Sequence, residues 1–244
     1  MDIGYRAWIF VSHASDDILR VREVRNYLES KGAAPLLFHL KALSKPEEFW
    51  PIIEREIAAR NFFLYCQSAI AEKRDWVRRE RAAVEAAGRE RPIRVDSIRV
   101  DSGDLDFAKL DAFVAKTRVF PTYAHQDQEV VRPFLLAMEQ SGFQVFITER
   151  DLPPGARWIT VLDQELEAAA RDGWVVAFFS NRSKPSEWVG YEIGFSEAAG
   201  GKIIPVMLNS GMELPVFLSG LQAFDATIDP ATAPDRLVRL MMHR

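Results

Sequence analysis

A tryptophan and a glutamate four residues apart occur twice in this chain, each time shortly after an apolar run. Trp76 and Glu80 follow "NFFLYCQS", and Trp188 and Glu192 follow "GWVVAFFS". Each pair stands at what reads as the start of a helix. A glutamate there is either a solvated charge, which the helix macrodipole favours near its N-terminus, or an acid aimed at a ligand. Several other chemistries find no support in the residues. No Gly-x-Gly-x-x-Gly follows a strand and there is no P-loop. No His/Cys/Asp/Glu cluster has metal spacing, and the four histidines are scattered. No Gly-x-Ser-x-Gly elbow marks a serine hydrolase.

The elements that carry these pairs are themselves repeated. "WIFVSHASDD" sets against "RVFPTYAHQD", and the next helices set together as well. Asp17 matches Asp127 and Gly32 matches Gly142, at an offset of 110 (17 to 127, 32 to 142). Ser68 matches Ser180, Trp76 matches Trp188 and Glu80 matches Glu192, at an offset of 112 (68 to 180, 76 to 188, 80 to 192). Small indels explain the change, so the chain is a duplication of a unit of ~110 residues. The expected domains are residues 1–117 and 118–244.

Within the first unit "AWIFVS", "PLLF" and "NFFLYC" read as buried strands. Ile18, Val21, Val24 and Leu28 recur at helical spacing, and Gly32 suits the residue after a helix end. "EEFWPIIEREIAA" and "DWVRRERAAVEAAG" read as further helices, the latter ending at Gly88, and "LDFAKLDAFVAKT" is helical before the boundary. The second unit repeats the order with "VFPTY", "QVFIT", "WVVAFF" and "KIIPVML" as strands. Strands apolar on both faces, alternating with amphipathic helices, imply a parallel sheet covered on both sides. The expected class is α/β, two flavodoxin-like doubly wound domains in tandem. Ligands of such sheets lie beyond the carboxyl ends of the strands. The helices bearing Glu80 and Glu192 start at that edge.

Composition excludes other classes. The chain has 244 residues, 48% hydrophobic and 27% charged, the balance of a globular protein. A net charge of -4 gives no general attraction to nucleic acid or an anionic membrane. The arginine-rich "RDWVRRERAAVEAAGRERPIR" interleaves acids and reads as a solvated helix face. The single cysteine, Cys66, sits in an apolar run and reads as a buried, inert thiol of a reducing compartment. "MDIGYRAWIFVSH" lacks the marks of a secretory signal, and no apolar run reaches membrane-spanning length. A cytoplasmic location is expected.

In order and spacing the chain resembles a tandem of TIR (Toll/interleukin-1 receptor) domains of bacterial type. The second unit carries the likeness through "YAHQDQE", "RDLPPGARW" in the place of the BB loop, and "FFSNRSKPSEWVGYE". The first carries it through "FVSHASDD", "EIAARNFFLYCQS" and "WVRRE". It departs from the pattern at Arg74, where the second unit has Ser186, and in "HLKALSKPEEFW", which lacks the Pro-Pro-Gly turn. The second unit in turn has Thr122 where the first has Ser12.

The resemblance implies one of two functions. Some TIR domains, including many in bacteria and plants, cleave NAD at the nicotinamide–ribose bond, giving ADP-ribose or a cyclic isomer, and a role in bacterial immune or anti-phage defence is then expected of this chain. Others are non-catalytic adaptors that assemble through TIR–TIR contacts. In the enzymes the glutamate of the third helix is catalytic, which here means Glu192 and Glu80. A lone carboxylate suits the reaction. Nicotinamide leaves neutral and needs no acid, unlike the leaving oxygen in glycoside hydrolysis. The oxocarbenium-like charge on the ribose remains, and a carboxylate stabilises it. NAD is then substrate, with no prosthetic group and no metal, and a downstream effector sensing a nucleotide product is a possible partner. Trp188 and Trp76 read as core anchors or ligand contacts, and Tyr191 as pocket lining or packing. Phe10, Ser12, Thr122 and Tyr123 stand at first-strand ends within reach of a ligand. Ser186, Asp17 and Asp127 read as helix caps. "DLPPG" reads as a rigid turn, with Gly155 allowing positive φ.

Overall fold

The computed structural model describes residues 7–38, 49–151, 173–181, 202–212 and 220–243, with Leu166, Ala169, Leu214 and Leu218. Contacts divide the chain into two units, residues 6–114 with 242–244 and residues 115–241 with 1–5. The described strands form two separate sheets, one per unit.

The first unit runs β1 (Ala7–Ser12), α1 (Ile18–Ser30), β2 (Ala33–Leu36), α2 (Trp50–Ala58), β3 (Phe62–Gln67), α3 (Asp75–Glu90), β4 (Arg94–Arg99) and α4 (Phe107–Ala115). Its sheet is parallel throughout, in the order β2-β1-β3-β4. Both faces are covered, which is why "FFLYC" is apolar without alternation. On one face Phe10 stacks on Phe63 at 5.5 Å, among Ile53 and Ile57 of α2 and Val77 and Val84 of α3. On the other, Phe62 meets Phe113 of α4 edge-on at 6.5 Å, and Tyr27 of α1 lies 4.6 Å from Phe107. Enclosing one such ring stabilises by about 1.5–3 kcal/mol relative to exposure. α1 buries Val21, Val24 and Leu28 and stops at Gly32, whose φ of 83° is open to glycine at no steric cost.

The second unit runs β5 (Arg118–Thr122), α5 (Gln128–Gln140), β6 (Gln144–Val145), α6 (Thr148–Asp151), β7 (Trp174–Phe179), β8 (Lys202–Met207), β9 (Phe224–Asp225) and α7 (Ala233–His243). Its order is β6-β5-β7-β8-β9, again parallel. Every residue of β7 is buried. Gly173 precedes it for want of space: a Cβ there would stand 2.8 Å from the Arg118 carbonyl oxygen and 2.9 Å from that of Ala115.

The doubly wound pattern is as the sequence implies, with four corrections. Each sheet has one strand more than the apolar pattern marks. β4, "RVDSIR", is an edge strand among the described residues, so its sequence is mostly polar. β9 has only two residues. β6 stops at Val145, where "QVFIT" was expected to stay extended, and α6 begins at Thr148. α3 runs through Gly88 to Glu90, because a glycine in open space interrupts no packing. Among the described residues no helix is long and apolar enough to cross a membrane. Cys66 is wholly buried, and burial pushes its thiol well above the usual range, so it is inert.

Candidate active site

Two elements meet at Glu80. β1 ends at Ser12, and pairing with Tyr65 of β3 fixes that end, the pairing with β2 having stopped at Phe10. α3 begins at Asp75 and places Trp76 and Glu80 one turn apart on one face. The Ser12 hydroxyl donates to Glu80 Oε2 at 2.5 Å. The Trp76 indole Nε1 donates to Glu80 Oε1 at 3.2 Å. Each carboxylate oxygen therefore holds one protein donor.

Glu80 is 3% exposed. That overturns the reading of it as a solvated charge in the first helical turn: it lies in the second turn, on the buried face of an otherwise exposed helix. Burial pushes its carboxyl up to about 7, against the two hydrogen bonds, which favour the charged form. Among the described residues no neighbouring charge contributes to the shift. A carboxyl poised there exchanges protonation states near neutrality, as groups in reactive sites commonly do.

A second layer holds Trp76. Trp50 of α2 meets it edge-on at 5.3 Å, and the Arg79 guanidinium stands 4.0 Å over the Trp50 ring. Trp76 is half-buried, packs against the core cluster, and gives its indole N–H to the carboxylate. Arg74 stands at the N-cap of α3 and makes no cap bond. Its guanidinium instead donates to Asp16 Oδ2 at 2.5 Å, pinning the start of α3 to the turn after β1.

This arrangement lies at the carboxyl ends of two central parallel strands. The TIR domain family matches residues 9–116 and again residues 119–241. The chain belongs to the TIR domain family. It is similar to the TIR domain of the Toll-related receptor TRR-2 from Hydra magnipapillata, at 21% identity, over 50% of this chain and 96% of that one, with a TM-score of 0.41. No curated protein matches the chain.

In both TIR units the aspartate after the first strand does something other than cap. Ser68 Oγ donates to Asp17 Oδ2 at 2.5 Å, and Ser180 Oγ donates to Asp127 Oδ2 at 2.7 Å. Neither aspartate makes a side-chain cap bond. Each ties the first-strand turn to the end of the third strand. The cap expectation is thus replaced by a strut, present twice. Its signal was in the sequence, since the same alignment that pairs Asp17 with Asp127 pairs Ser68 with Ser180.

The remaining expected residues fall in three groups. Phe10 is 1% exposed, with its ring near Phe38 and Phe63 in the core cluster that Ile53 and Ile57 of α2 and Val77 and Val84 of α3 complete. Thr122 is buried at the end of β5 and Tyr123 is half-buried beside it. Glu192, Trp188 and Tyr191 lie outside the described residues, as do Ser186 and the Pro153–Gly155 turn. Among the described residues no group of His, Cys, Asp or Glu is placed to hold a metal. An open cleft of about 300 Å³ between α3 and β4, lined by Tyr65, Gln67, Arg81 and Ser97, does not include Glu80.

Proposed function

We propose that this tandem TIR protein cleaves NAD at the nicotinamide–ribose bond. The observation that carries the reading is Glu80, a buried carboxyl held by Ser12 and Trp76 at the strand ends where ligands of parallel sheets bind. When nicotinamide leaves, positive charge develops on the ribose. A carboxylate in a water-poor slot stabilises it far more than one in water would. Water as acceptor gives ADP-ribose, and a nucleophile within the same molecule gives a cyclic isomer. Exclusion of water decides between them. The same reading places the protein in bacterial immune defence, where it depletes NAD or makes a nucleotide signal for an effector, and where self-association through TIR–TIR contacts completes the site.

A second reading has one observation in its favour. Both Glu80 oxygens are already taken by protein donors and the side chain is enclosed, which equally suits a structural acid in a non-catalytic adaptor. Incubating the purified chain with NAD and resolving the products by chromatography separates the two. Free nicotinamide with ADP-ribose or a cyclic isomer supports the enzyme. Intact NAD across protein concentrations that include the self-associated state leaves the adaptor.

A further inference from the structure

We propose that Ser12 is a positioning residue: its hydroxyl sets the Glu80 carboxylate in the orientation from which it faces the ribose, and Thr122 holds the same post in the second unit. The inference rests on the reading of Glu80 as the reacting carboxylate. A glutamate side chain has three rotatable bonds, and burial alone does not choose among its rotamers. Two donors on two different oxygens do. Trp76 reaches Oε1 from the same helix, so it fixes the side chain only relative to α3. Ser12 reaches Oε2 from β1, so it alone of the two ties the carboxylate to the sheet. Ser12 is itself wholly buried and paired with Tyr65 of β3, the central neighbour of its strand.

The duplication supplies an independent observation. Ser12 stands opposite Tyr65 in the β1–β3 register, and Thr122 stands opposite Ala177 in the β5–β7 register, the same place in each sheet. Thr122 is also buried. Around it the strand-end residues diverge: Val11 becomes Pro121, His13 becomes Tyr123 and Ser15 becomes His125. The hydroxyl stays. A packing role would be met as well by alanine or valine. A donor aimed at a carboxylate requires Ser or Thr. A hydroxyl also accepts, so it can turn to take a hydrogen bond from a substrate hydroxyl while that hydroxyl engages Glu80.

The test uses the full chain carrying Glu192→Gln, so that any turnover comes from the first unit, with the wild type measured alongside. Ser12→Ala and Ser12→Thr are compared by NAD kinetics and by carbon NMR titration of labelled glutamate carboxyls, with Glu80→Gln assigning the Glu80 signal. Ser12→Ala should lower kcat on the order of tenfold to a hundredfold with little change in KM. It should also raise the Glu80 titration midpoint by about one pH unit, because a bond to the charged form is gone. Ser12→Thr should restore both. A Glu80 titration unmoved in Ser12→Ala overturns the contact. A moved titration with unchanged kcat overturns the positioning role, as does an inactive Glu192→Gln chain beside an active wild type. A wild type that leaves NAD intact removes the underlying reading and the proposal with it, and the moved titration tells that failure from the others.

Discussion

The two TIR units are alike where they are braced and unlike where they differ in charge and edge. Both tie the first-strand turn to the third strand by a serine–aspartate bond, and both bury a hydroxyl at the end of the first strand. They part at the start of the third-helix motif, Arg74 against Ser186, and at the sheet edge, where β4 closes one sheet and β9 extends the other. A duplicated fold thus keeps the bonds that brace the carboxyl ends of its first and third strands and varies what surrounds them. The comparison suggests that the site is a property of the braced edge, and it can be broken by asking each unit for the same response.

The largest effect expected is on turnover. On the proposed function, Glu80→Gln and Glu192→Gln together should lower NAD cleavage by about a thousandfold or more, since the charge proposed to stabilise the ribose cation is removed twice. The single variants, measured by nicotinamide release, divide the activity between the units. Full activity in the double variant refutes the assignment of both glutamates.

A stability measurement then tests how deeply Glu80 is buried. Its carboxyl titrates at about 7 when folded, against an ordinary value of 4.5. Between those two values the folded chain holds a proton that the unfolded chain has lost, so stability falls as pH rises. Below the lower value both states are protonated and the loss vanishes. The full difference is about 3 kcal/mol, reached above the folded value. Chemical denaturation of wild type and Glu80→Gln at pH 4 and pH 8 should therefore show the variant gaining at pH 8 relative to pH 4. A pH-independent difference means that water reaches the carboxylate.

How much of this was legible beforehand follows from what each residue had to do. The buried central strands were plain, because a strand covered on both faces must be apolar throughout, as in "WVVAFF". The edge strand β4 was not, since only Ile98 of its six residues is buried, and a strand so little covered need not be apolar. The Trp–Glu pairs drew notice through their repeat, but sequence could not separate an exposed Glu80 from an enclosed one. That difference lies in Ser12, 68 residues away and brought in by strand pairing. The caps were misread for the same reason. Asp17 stands one residue before α1, where local rules favour capping, yet Ser68 from another strand takes its carboxylate.

The serine–aspartate struts make a smaller and symmetrical prediction. Asp17→Ala leaves the buried Ser68 hydroxyl without its acceptor, and Asp127→Ala does the same to Ser180. Each should cost about 1–3 kcal/mol. Hydrogen exchange should quicken in β1 for the first variant and in β5 for the second. A loss in one unit only would show that the bond is structural there and incidental in its copy.

The smallest effect is expected where the units differ most visibly. Arg74→Ser gives the first unit the serine that precedes the tryptophan in the second. The change removes the bond from Arg74 to Asp16. That pair is largely solvated, with the arginine side chain 53% exposed, so its loss should cost less than about 1 kcal/mol. Arg74 does not touch Glu80, whose donors are Ser12 and Trp76. Turnover from the first unit, measured in the Glu192→Gln chain, should then change by less than about fivefold. A larger gain would mean that the residue two before the tryptophan governs the site through the start of α3. In that case the lead-in to the helix, and not the braced edge, is what distinguishes an active unit from its copy.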